Sequence, residues 1–203
     1  MAAPRIEASA DVDESAKVSD DSTVWHLAQI RENAVIGSGC MVGRGAYIGA
    51  GVTLGMNVKV QNHALVYEPA IVGDFAFIGP AAVLTNDRYP RSTGLDGRLK
   101  GPSDWSPDGV AVGTGAAIGA RAVVLAGVSI GVWACVGAGA VVTCDVPDYA
   151  LMVGNPARQV GWVGRSGRRL LSSNRGWTCP QTGQMFQECD SGLEPVSGEV
   201  DSP

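Results

Sequence analysis

The chain has 203 residues, 15 Lys plus Arg against 20 Asp plus Glu, a formal net charge of −5, 28 glycines and 6% aromatic residues. The acid excess leaves no electrostatic footprint for nucleic acid, and no run of about 18 apolar residues offers a membrane span. Five cysteines without framework spacing read as reduced thiols, and MAAPRIEASADVDES lacks a signal-peptide core, so a cytoplasmic protein is expected.

From the N-terminus, a large aliphatic recurs every sixth residue: Ile6, Val12, Val18, Val24, Ile30, Ile36, Val42, Ile48, Leu54, Val60, Val66, Val72, Ile78 and Leu84. The register breaks, then resumes at Val112, Ile118, Val124, Ile130, Val136 and Val142. Two residues before nearly every keyed position stands a small side chain, as at Ala34, Cys40, Ala46, Ala64 and Ala82, with Pro4 as the departure. Residues i−2 and i share one face of a strand, so each hexad reads as a short strand with one small and one large side chain inward. In ten of the twenty hexads a glycine follows the keyed aliphatic, which suits a sharp corner. A fixed short period is the mark of a solenoid. Three hexads per turn give 18-residue coils, six to seven of them.

Between the two runs, Thr85 to Gly109 reads TNDRYPRSTGLDGRLKGPSDWSPDG and fits no hexad. So long an excursion from a compact ladder is uncommon without a role. At its base, Glu68 and Asn86 are 18 apart and so stack at one corner, with Glu32 two coils below Glu68. A second column collects His26, Arg44 and Asn62. Polar groups at such corners are where a substrate would be held. Stacked polar ladders also occur for structure alone.

After the last hexad, Pro147 and Pro156 are expected to end the ladder. The chain therefore divides into a β-helix over 1–150 with a loop insertion at 85–111, an appendage over 151–189, and an acidic tail over 190–203 expected to be disordered.

The pattern of small residue, any residue, aliphatic and glycine, as in AVIGSGCMVGRGAYIGAGVTLG (34–55), resembles the hexapeptide-repeat acyltransferases. That resemblance implies an all-β, left-handed parallel β-helix and a homotrimer with active sites between subunits. VYE (66–68), GPAAVLTNDRYPRS (79–92) and DVPDYALMVGNPARQVGWVG (145–164) look like one branch of it, the nucleotide-sugar 3-N-acetyltransferases. Members act on UDP-2-acetamido-3-amino-glucuronic acid or on dTDP-3-amino-deoxyhexoses in surface polysaccharide synthesis. WHLAQI (25–30) is similar to the branch's WHFxHI opening, with Gln29 where a second His is expected. Several relatives carry a zinc-ribbon-like piece after VGNPA; here WTCPQTG keeps Cys179 but has Thr182 in the partner position, so a decayed ribbon without metal is expected.

The implied reaction transfers acetyl from acetyl-CoA to a sugar amine, with Glu68, Asn86 and Asp87 carried over as catalytic residues. An amide is no base, but the Asn86 carbonyl oxygen can accept from the amine and aim its lone pair. Asp87 or Glu68 can stabilise the ammonium or receive its proton. His26, Asn62, Arg88 and Arg91 are candidate substrate contacts, the two arginines for a sugar acid or the diphosphate. Arg158 is a candidate for the 3′-phosphate of CoA. Two alternatives stay open: an acetyltransferase of another small acceptor with His26 or His63 as base, and a non-catalytic trimeric scaffold.

Overall fold

The computed structural model describes residues 2–196. Its main body is a three-sided parallel β-helix built from two-residue strands, β1 (Arg5–Ile6) to β20 (Val141–Val142). Every third strand stacks on the same face, and the keyed aliphatics lie in register: Val24, Val42, Val60 and Ile78 pair in turn along one face. This is the left-handed β-helix of the sequence reading. Both inward positions of each hexad are buried from Val24 onward, so Ala34, Ile36, Ala64, Val66, Ala82 and Leu84 are all 0% exposed. Full burial of each large aliphatic stabilises by roughly 1.5–3 kcal/mol, and the small partner is what lets three of them meet across a narrow triangle.

The glycines after the keyed positions do not make the corner. Gly37, Gly43, Gly49, Gly55 and their equivalents have ordinary φ, and a Cβ on them would strike the coil above, as at Gly43 where the Asn62 amide nitrogen lies 2.6 Å away. Coil stacking, not turning, requires them. The turn is made two residues later, where φ is positive at Gly39, Gly45 and Gly51 but also at Asn33, Asn57, His63, Phe75 and Trp133. Side chains as large as Phe75 and Trp133 in this region carry strain that the surrounding ladder must hold.

The coil runs further than the prolines suggest. Val146 bridges Ile130, and β21 (Ala150–Val153) pairs in parallel with β19 (Cys135–Val136), matching Val136 to Met152. The last spacing is 16 residues rather than 18, which hid it from the hexad register. The first face therefore carries eight parallel rungs before β22 (Arg158–Trp162) folds back antiparallel on β21. Pro156 lies in that hairpin turn.

Beyond it, β23 (Leu171–Ser173), β24 (Gly176–Thr178), β25 (Met185–Cys189) and β26 (Gly192–Pro195) form a four-stranded antiparallel sheet. Its buried Phe186, Leu193, Leu170 and Cys179 pack on Tyr149 and reach Trp133 and Trp162 of the main body. The expected disordered tail is corrected through residue 196, because Leu193 is 1% exposed and anchors β26; residues 197–203 lie outside the described residues. In the Cys179 turn, burial pushes the thiol up, but bonds from Ser166, Thr182 and the Gln181 backbone outweigh it and bring it to about 7. The described residues contain no group of three or more His, Cys, Asp or Glu able to hold a metal, and no helix long and apolar enough to cross a membrane.

Candidate active site

Glu68 and Asn86 each follow an inward aliphatic by two residues, on β11 (Leu65–Val66) and β14 (Val83–Leu84), and these strands pair with Val66 opposite Leu84. The two residues accordingly stack on one edge of the prism. The Asn86 side-chain nitrogen donates to the Glu68 backbone carbonyl at 2.8 Å, and Asn86 is only 9% exposed. Committing the nitrogen leaves the Asn86 side-chain oxygen as the free acceptor.

The Glu68 carboxylate folds down over Gly49 of the coil below, where a Cβ would collide with it. Its Oε2 is buried without a hydrogen-bond partner. Residues at equivalent corners use an oxygen in this place differently. Asn62 accepts from the Arg44 backbone at 2.9 Å and Asp74 from Met56 at 2.7 Å, each satisfying an amide one coil away. Glu68, one methylene longer than Asp74, makes no such bond. Tyr47 and Tyr67 flank it with ring centroids 5.2 Å apart. Burial pushes the Tyr47 phenol up, the Glu68 carboxylate pushes it further, and Arg31 pulls it back. Arg31 in turn holds Glu32 through contacts of 2.8 and 3.0 Å, so Glu32 on this edge is spoken for.

Above Asn86 the long loop closes the edge. The Asp108 amide donates to the Asn86 carbonyl at 2.8 Å, which fixes where the loop returns. Arg88 reaches Asp108 at 3.2 Å and the Ala126 carbonyl at 3.2 Å. Within the loop, Thr93 bridges Leu99 and residues Pro102–Asp104 form a 3-10 turn. A cavity of about 490 Å³ opens beneath it, lined by Asp87, Arg88, Tyr89, Lys100 and Trp105 among others. A second, of about 220 Å³, lies between Asp87, Arg88, Leu125, Ala126, Val128 and Thr143. Asp87 therefore faces both, one oxygen accepting from the Tyr89 amide at 2.9 Å.

The other expected contacts lie elsewhere. His26 and Asn62 share a different edge, in a cavity of about 290 Å³ with Trp25, Arg44 and Gln61. Both His26 nitrogens are engaged, Nδ1 with Ser9 Oγ at 2.9 Å and Nε2 with Glu7 at 3.4 Å. Arg91 is exposed and donates to the carbonyl of Pro90. Arg158 opens β22 opposite Val153, at the C-terminal end of the edge that carries His26 and Asn62. One protomer thus joins Glu68, Asn86, Asp87 and Arg88 and keeps His26, Asn62 and Arg158 apart from them. The sequence reading missed Asp108, Lys100 and Tyr47. Only Tyr47 had a signal, because it stands one coil below Leu65, two residues before Tyr67.

Residues 15–50 match the family model for the bacterial transferase hexapeptide (six repeats), and residues 109–144 match the hexapeptide repeat of succinyl-transferase. This is a hexapeptide-repeat β-helix. The chain is 36% identical over 76 residues to a dTDP-3-amino-3,6-dideoxy-alpha-D-galactopyranose 3-N-acetyltransferase of Aneurinibacillus thermoaerophilus, covering 37% of this chain and 39% of that protein. Among solved structures it is similar to a mutant of perosamine N-acetyltransferase from Caulobacter crescentus in complex with CoA and GDP-perosamine. That likeness has 26% identity and a TM-score of 0.50, over 79% of this chain and 57% of the other. The acetyltransferase domain of PglB from Neisseria gonorrhoeae matches at 22% identity and a TM-score of 0.47, over 77% and 57%. The hexapeptide-repeat chain thus spans 39% of the curated relative's length and 57% of each solved chain.

Proposed function

We propose that this β-helix is a cytoplasmic N-acetyltransferase that moves acetyl from acetyl-CoA to the 3-amino group of a UDP- or dTDP-linked amino sugar. The observation that carries the reading is the Glu68–Asn86 edge, with its uncommitted carboxylate oxygen and its oriented amide below the loop. The dTDP-amino-sugar acetyltransferase and the perosamine acetyltransferase, the latter in complex with CoA, support the same chemistry.

In this reaction the amine must be neutral and aimed at the thioester carbonyl. Asn86 accepts an N–H of the amine and directs the lone pair. Nitrogen then bonds the acyl carbon, the carbon–sulfur bond breaks, CoA leaves as thiolate, and the proton from nitrogen passes to a carboxylate of this edge. Glu68 is the carboxylate with an unpaired oxygen, which must turn out of the coil to take the proton, and Asp87, one coil above, lines both loop cavities. His26 lines the other-edge cavity with Asn62 and is a candidate contact for the sugar or nucleotide.

A homotrimer completes the reading. Two half-sites on separate edges of one prism suit a seam where the edge of one protomer meets the other edge of its neighbour. Met41, Met56, Ile71, Phe75 and Phe77 are exposed on the outer faces and edges, and such side chains are suited to an interface. Arg158 and Arg91 remain the candidates for CoA and substrate phosphates. The test is thiol release from acetyl-CoA with a panel of UDP- and dTDP-linked 3-amino sugars, together with solution mass. Turnover by a trimer is expected; a monomer inactive on the whole panel would end the reading.

A further inference from the structure

The loop cavity contains a charge that no ion pair among the described residues satisfies. Five charged side chains line it: Asp87, Arg88, Lys100, Asp104 and Asp108. Four are occupied within the loop or at its base. Arg88 and Asp108 pair at 3.2 Å, Asp104 accepts from the Gly101 amide at 2.7 Å, and Asp87 accepts from the Tyr89 amide at 2.9 Å. Lys100 makes no ion pair among the described residues, although it is half-buried and also borders the neighbouring cavity around Gly94–Leu99. Tyr89 and Trp105 also line the loop cavity. Three carboxylates line the same cavity, yet none lies within ion-pair distance of Lys100, so a half-buried ammonium faces open space and can take an anionic group of a ligand. Its position in the loop is fixed from both ends, by the Lys100 amide donating to Ser92 at 2.9 Å and by the Asp108 amide on Asn86.

We infer that Lys100 anchors an anionic oxygen group of the acceptor, either a carboxylate on the amino sugar or the nucleotide diphosphate, in the cavity under the loop. The inference rests on the acetyltransferase reading and sharpens it, because the two sources separate the acceptor classes. A carboxylate contact makes the preferred acceptor a uronic acid. A diphosphate contact leaves uronic acids and neutral deoxyhexoses alike.

The experiment compares wild type, Lys100→Met and Lys100→Arg, with equal melting temperatures as the check that the exposed loop leaves the fold intact. Each is assayed for turnover of a UDP-linked 3-amino uronic acid and a dTDP-linked neutral 3-amino deoxyhexose, and by calorimetry for UDP and dTDP alone. Losing a charge-assisted contact raises KM about tenfold with little change in kcat, and Lys100→Arg restores most of it. A rise confined to the uronic acid assigns the carboxylate. A rise for both acceptors, with weaker UDP and dTDP binding, assigns the diphosphate. Unchanged KM and unchanged nucleotide affinity in Lys100→Met would overturn the inference while wild-type turnover left the parent reading standing. No wild-type turnover with either acceptor would count against the parent reading, and full nucleotide affinity in Lys100→Met would then remove this inference as well.

Discussion

Asp74 and Glu68 occupy the same place in successive hexads, two residues after an inward aliphatic, each with a carboxylate over a glycine of the coil below. Asp74 bonds the Met56 amide at 2.7 Å; the deeper oxygen of Glu68 bonds nothing. On the proposed reading, one methylene separates a fastener from a reactive group. On the same reading, the difference teaches how a repeat protein makes a site within its ladder: the inward residues keep their register, the corner differs (a cis Glu68–Pro69 bond where Asp74 is followed by Phe75 at positive φ), and a side chain that overshoots its structural partner is left unpaired. The loop leaves the ladder at the Glu68 edge and not at the Asp74 edge, which puts Asp87 and the two cavities it lines one coil above the unpaired oxygen.

The largest effect that would sharpen this contrast is expected at Asn86. Asn86→Ala removes the oriented acceptor above Glu68 and should lower kcat by about 10²–10³, the size seen when a positioned donor or acceptor is deleted from a reacting centre. Steady-state acetyl transfer checks this. Gly49→Ala is expected next, since its Cβ would meet both the Glu68 carboxylate and, at 2.6 Å, the Glu68 amide nitrogen; activity should fall at least about tenfold, and the melting temperature should fall with it. If Gly49→Ala keeps full kcat, the lowered pose of Glu68 has no part in the chemistry. Asp74→Ala is the smallest of the three. It should leave kcat alone and cost about 1 kcal/mol in chemical denaturation, the net worth of one backbone fastening.

Much of the fold was legible because one physical requirement repeats. A triangle of short strands needs a large and a small inward residue per side, and that need wrote a period of six from Ile6 to Leu84. The same period placed Glu68 under Asn86, since stacking converts a spacing of 18 into contact. What escaped reading had no period to carry it. Asp108 and Lys100 sit in a loop whose return point is set by a single amide bond to Asn86. The rung at β21 was lost because its spacing shortens to 16. The role of Gly37 and Gly43 was misread because a stacking glycine and a turning glycine look alike in sequence, and only φ tells them apart. Residues 190–196 looked disordered from their acidity, yet Leu193 suffices to hold a strand on Phe186 and its neighbours.

The account turns on Glu68 being uncommitted to the fold and committed to the reaction. The most direct measurement is kcat of Glu68→Gln at saturating acetyl-CoA and acceptor, read beside its unfolding free energy. A loss of at least about tenfold in kcat with stability within about 0.5 kcal/mol of wild type is predicted, because the substitution keeps the shape and removes only the charge. Wild-type kcat in a destabilised Glu68→Gln would make Glu68 another fastener like Asp74, and would contradict the account.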